Sequence, residues 1–199
     1  MQRVGAQRHA AHCATFTFLN TDPNKFIAQT KKWIVDVVVG CNFCPFALRE
    51  VKRDSIRFEV VGGNKPAVLS ALRQALAKMD GAPEVETMFL ILPQHFGRFS
   101  DYLKLVDAAE ASLRKNGYEG VYQVASFHPD YFFAGSRPDD AANYTNRSPW
   151  PMLHLLREES VSRAVDSYPD PMKIPERNTL FARTKGLEYM QRLWAACRE

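Results

Sequence analysis

Cysteine is scarce in this chain: Cys13, Cys41, Cys44 and Cys197 are the four among 199 residues, and their spacing is uneven. A disulfide framework in a chain of this size needs more, so the thiols are read as reduced and the compartment as intracellular. No stretch approaches the roughly 20 apolar residues that a bilayer span requires, so no membrane partner is expected. Export by a secretory leader is not expected either. The first 21 residues hold Arg3 and Arg8, no acid before Asp22 and no long apolar centre. They read as a disordered extension or a presequence, ahead of one domain over residues 22–199. Localisation is read as cytoplasmic, or organellar if the presequence reading holds.

Dense basic blocks are also absent. Lys and Arg number 26 against 22 Asp and Glu, a formal net charge of +4. Most of the positive charge falls beside acids on predicted helices, and no RNA-binding aromatic signature accompanies it. Nucleic acid is therefore not the expected partner, whereas an anionic small molecule is. What remains is an ordinary globular composition, 46% hydrophobic and 24% charged, without internal repeats.

Periodicity gives the element order. Phe26, Ile27, Trp33, Ile34, Val37 and Val38 recur at helical spacing, with Asp22 as N-cap, Pro23 at the first position and Gly40 as the stop. A turn at Cys41 to Pro45 opens a short helix. Ile56 to Val61 reads as a strand, Pro66 to Met79 as a helix, Thr87 to Leu92 as a central strand. Phe99 to Lys115 is helical and Val121 to Phe127 is a strand. Ser148-Pro149 then reads as N-cap and first turn of a helix running to about Val165, and a last helix covers about Asn178 to Cys197. Alternating strands and helices predict an α/β sandwich, a single domain with a small mixed or parallel sheet flanked by helices.

The run from Ser126 to Glu158 concentrates hydrogen-bonding side chains between two apolar elements, and sites are commonly built on such loops. His128 lies just past a strand, where ligands gather in α/β sheets, and is a candidate acid/base with Asp130 beside it; a turn-stiffening histidine is the plainer reading. Asn146-Arg147-Ser148-Pro149 suits an anion at a helix start, with Asn143 and Asn146 lining the loop and Arg147 gripping the ligand. On a helix, His154 and Glu158 share one face. With His128 they make a candidate set for a divalent metal, and Cys44, His128 and His154 make another; a metal-free helix pair is the plainer alternative. Cys44, before Pro45, suits a thiolate at a helix start, or else a small buried hydrophobe. Cys41 and Cys44 form a C-x-x-C without a second such pair, which disfavours a zinc ribbon. Arg157 and Arg177 complete a charged wall or pair between helices.

The segments Gly40-Cys41-Asn42-Phe43-Cys44-Pro45-Phe46-Ala47 and Gln123 to Tyr131 resemble the domain-of-unknown-function family 1415. So do Asn143 to Pro149, Met152 to Glu158 and Glu176-Arg177-Asn178. The resemblance spans roughly Phe26 to Leu193 and supplies no reaction. It implies that Cys44, His128, Asp130, Asn143, Asn146, Arg147, His154, Arg157, Glu158 and Arg177 belong together. The family pattern has one cysteine, matching Cys44; Cys41 stands where an apolar residue is usual, and Trp150 where Tyr is commoner.

The leading expectation is a small enzyme acting on an anionic small molecule by acyl- or amide-type chemistry. Cys44 is its nucleophile, His128 its acid/base with Asp130 and His154 as further catalytic candidates, and Asn143, Asn146, Arg147, Ser148, Arg157 and Arg177 bind the substrate. A metal-dependent enzyme using His128, His154 and Glu158 or Cys44 is one alternative. A non-catalytic phosphate-ligand-binding or assembly module is the other.

Overall fold

Asp22 begins the first helix as the sequence predicts. In the computed structural model, which describes residues 22–199, the Asn24 amide donates to the Asp22 carboxylate at 2.9 Å. Pro23 fills the first turn of α1 (Pro23–Trp33). The expectations for residues 1–21, and Cys13 among them, lie outside the described residues. Beyond Trp33 the helix widens into a π-helix, Ile34–Val39. The amides of Gly40 and Phe43 reach back to the carbonyls of Val35 and Val38, at 2.9 and 2.8 Å. At Gly40 any Cβ would collide with the Asp36 carbonyl oxygen, so only glycine leaves this wide turn.

The next elements follow the predicted order: α2 (Ala47–Arg53), β1 (Ile56–Val60), α3 (Lys65–Asp80), β2 (Thr87–Ile91), α4 (Phe99–Lys115) and β3 (Tyr122–Phe127). Asn64 caps α3. Then the structure departs from expectation. Residues 148–157 form no helix. Met152–Arg157 is a strand, β4, and α5 (Glu158–Asp166) starts only after it. Two prolines two apart, Pro149 and Pro151, favour extended backbone, and β4 is the strand the sheet needs between two others. The last helix is also two, α6 (Ile174–Lys185) and α7 (Leu187–Ala195), divided at Gly186 with φ of 85°.

The sheet is mixed, ordered β1-β2-β4-β3. β1 runs parallel to β2, while β4 is antiparallel to both β2 and β3. Helices flank it, as predicted for the α/β class. On one face α3 and α4 bury Leu72, Leu76, Leu105 and Ala109 against Leu90, Leu153 and Leu155. Each such aliphatic side chain contributes about 1.5–3 kcal/mol of burial. On the other face lie Phe89, Ile91 and Met152, covered by Phe26, Trp33 and Val37 of the first helical segment and by Ala182 and Met190 of α6 and α7. No helix among the described residues is long and apolar enough to cross a membrane.

Candidate functional site

Side chains alternate across a strand, so Gln123, Ala125 and Phe127 of β3 share a face with His154 and Leu156 of β4 and with Thr87 and Phe89 of β2. The second core does not seal this strip. A cavity of about 290 Å³ opens over it, roofed by Ile34 and Val38, by the turn carrying Cys44, and by Val161 and Ala164 of α5. The volume lies close to the lower end of small-molecule sites, roughly 300–1,000 Å³, and the walls are mostly apolar.

His154 forms part of the floor. Its two neighbours along β4, Leu153 and Leu155, are fully buried on the opposite face, whereas His154 itself is only half-buried. The Thr87 hydroxyl spends its one proton on the Leu155 carbonyl, at 2.6 Å. The contact of 2.5 Å between His154 Nε2 and Thr87 Oγ1 therefore needs the imidazole N–H as donor. That leaves Nδ1 as an acceptor with no partner among the described residues. Desolvation among apolar walls pushes the His154 pKa down to about 3, so the ring is neutral at physiological pH. One face of the ring lies flat on Phe89, centroids 3.9 Å apart and planes within 5°. Phe89 in turn stacks on Phe58 at 5.6 Å and 9°.

Cys44 reaches the same cavity from the turn before α2. Asn178 donates to the Phe43 carbonyl at 2.6 Å, and Arg177 donates to the Asn42 carbonyl and, at 3.0 Å, to the Tyr168 hydroxyl. Both side chains thus hold the turn in place. Burial pushes the Cys44 thiol up from its ordinary value; the amides of Phe46 and Ala47 and the Arg177 charge oppose that without reversing it. A thiol held protonated is a weak nucleophile. Cys41 is buried beside it and likewise raised by desolvation.

The model of a protein family of unknown function, DUF1415, matches residues 25–192. The chain belongs to that family. No curated protein and no solved structure matches it.

The residues of the family motifs divide between cavity and scaffold. Cys44, His154 and Arg157 line the cavity. His128 does not. It is fully buried near the α4 side, against Phe99 and Tyr102. Its Nε2 donates to the Phe96 carbonyl at 2.8 Å and its Nδ1 accepts the Asp130 amide at 2.9 Å, so both nitrogens are occupied. The turn-stiffening reading of His128 is the one its geometry matches, with Asp130 contributing its backbone. Asn143 is buried, accepting from the Phe133 amide and the Ser136 hydroxyl and donating to the Arg137 carbonyl. Asn146 accepts from the Thr145 hydroxyl at 3.3 Å.

The guanidinium groups are similarly committed. Arg147 donates to the carbonyls of Tyr131 and Pro138, at 2.9 and 2.8 Å, while stacking over Tyr144. Arg157 donates to the carbonyls of Met79, Ala82 and Val85 and to the Tyr122 hydroxyl, tying the end of α3 to the sheet. Ser148 caps no helix; its hydroxyl donates to the Trp150 carbonyl at 2.6 Å, so the expected anion site at a helix start has no helix. Glu158 opens α5 while His154 lies in β4, so the two do not share a helix face. Among the described residues no group of three or more His, Cys, Asp and Glu side chains is placed to hold a metal ion. Neither metal set comes together: His128 packs near α4 while His154 faces the cavity.

Several cavity residues were not singled out in the sequence: Thr87, Phe89, Gln123, Ala125 and Ser160. One signal was available. Gln123 and Ala125 stand at period two with Phe127, a polar and a small residue on the inward face of a strand.

Proposed function

We propose that this protein binds a small, largely apolar molecule in the cavity between the sheet and the Cys44 turn. The observation that carries the reading is an apolar chamber of about 290 Å³ whose floor holds a neutral imidazole with one acceptor to spare. Apolar walls supply the affinity and the few polar groups fix orientation. An anionic ligand has less support, because Arg147, Arg157 and Arg177 already serve carbonyl and hydroxyl oxygens. The test is a binding titration of the full chain with cyclohexanol and with phenol, followed by amide and methyl NMR. Saturable shifts confined to Ala125, His154, Val161 and their neighbours are expected. No saturable shift with either compound would overturn the reading.

A second reading, acyl or amide chemistry by a Cys44–His154 pair, has one observation in its favour: both side chains line one wall. Two directions weigh against it. Burial holds the thiol protonated and the imidazole unprotonated, so proton transfer between them is uphill at both ends.

A further inference from the structure

Phe58, Phe89 and His154 are register partners on three adjacent strands, β1, β2 and β4. Their rings are near-parallel and form a ladder across the sheet. The next rung belongs to β3, where the partner of His154 is Ala125. Alanine carries one methyl group where the three preceding strands each carry a ring. The face of the imidazole turned away from Phe89 therefore looks over Ala125 into the cavity, and both residues line it. Phe127, the nearest aromatic on β3, does not cover that face. Its ring centroid stands 6.0 Å from His154 and tilts by 44°, held edge-on by Trp33 at 5.1 Å. On the other side of Ala125 is Gln123, whose amide has no hydrogen-bond partner among the described residues.

We infer that the ligand is a neutral planar aromatic or heteroaromatic ring, stacked on His154 above Ala125 as the fourth rung of this ladder. This rests on the cavity-binding reading and narrows it to a ligand class. Strands lie about 4.8 Å apart, so a ring at stacking distance from His154 sits above β3. Offset stacking adds to plain burial, and an unpaired charge among these walls costs too much to enter. The Gln123 amide, a donor and an acceptor together, pairs with a polar group on the ring edge. The slot thus selects flatness first and edge polarity second.

Phenol and cyclohexanol are close in size and each carry one hydroxyl; they differ in planarity and in donor strength, and the Ala125 methyl shift and the Ala125→Leu variant read the planarity alone. On the full chain, phenol is expected to bind at least about ten-fold more tightly, and to move the Ala125 methyl resonance upfield by its ring current. Ala125→Leu fills the slot and is expected to weaken phenol at least about ten-fold, with cyclohexanol affected less. Equal or tighter binding of cyclohexanol by the unaltered chain would overturn the stacking inference and leave the cavity reading intact. Binding of neither compound would remove both. A folded Ala125→Leu variant that binds phenol as before also overturns the inference; should that variant fail to fold, the phenol-to-cyclohexanol ratio and the methyl shift on the unaltered chain decide.

Discussion

Acidification tests the dryness of the cavity directly through His154. An unfolded histidine takes a proton near pH 6.5, whereas in the fold this imidazole resists protonation down to about 3. Below pH 6.5 the unfolded chain therefore binds more protons than the folded one, and stability falls as pH falls. Between pH 7.5 and pH 5 the loss from this one group works out at about 2 kcal/mol by proton linkage. His128, its pKa also lowered by burial, adds a loss in the same direction and window. The carboxylates held below their usual values, Glu50, Asp139 and Asp140, begin to cost stability only below about pH 4.5, so they do not blur the comparison. The assay is urea unfolding at pH 7.5 and 5.0 for the unaltered chain and for His154→Gln. The variant should lose less stability over that interval, by about 1–2 kcal/mol. Equal losses in both proteins, or a His154 ring that titrates near pH 6.5 by NMR, would refute a dry, apolar setting for this residue.

Other expectations follow from the same contacts. His128→Ala strips partners from the Phe96 carbonyl and the Asp130 amide and should cost about 2–4 kcal/mol in urea unfolding, while leaving the affinity for phenol unchanged. Arg157→Met removes donors from three backbone carbonyls at the end of α3; a loss of about 3 kcal/mol is expected, and hydrogen exchange at Met79 to Val85 should rise. Gly40→Ala drives a methyl group into the Asp36 carbonyl and should destabilise by about 1–3 kcal/mol, read as a lower Tm. Cys44 should alkylate with iodoacetamide more slowly than free cysteine at pH 7.5, accelerating only above its raised pKa; fast labelling at neutral pH would revive the nucleophile reading.

Where local pattern and tertiary setting agreed, the sequence was easy to read. Strands β1 to β3 are bounded by turn residues and rich in β-branched or aromatic side chains, and α3 and α4 show a clean apolar stripe. β4 broke that agreement. Its Met-Leu-His-Leu-Leu-Arg is built from good helix formers, and as a strand paired on both sides it is apolar on both faces, which erases the period-two signal. Misreading it put His154 and Glu158 on one helix face and produced the metal set and the anion site together. Similarly, the polar density of residues 128–148 marked a loop that needs many internal hydrogen bonds to hold its shape. Asn143, Arg147 and His128 are the pins, with the Trp33 indole donating to the Arg147 carbonyl at 2.9 Å. Cys44 and His154 were legible as chemistry-bearing residues. Their shared void was not, because small residues such as Ala125 mark a cavity only once their neighbours across the sheet are known.

The position of β4 also dictates the order in which this chain can assemble. Among the described residues β3 hydrogen-bonds to β4 and to no other strand, and β2 depends on β4 for its second edge. A ribosome that has released residues 22–127 has therefore supplied one parallel pair and a strand with nowhere to go. Only when residue 157 emerges can the last strand slide between β2 and β3 and close the sheet in one step. Chains cut short of that point would leave the inner edges of β2 and β3 unpaired, the kind of surface that recruits other unfinished chains.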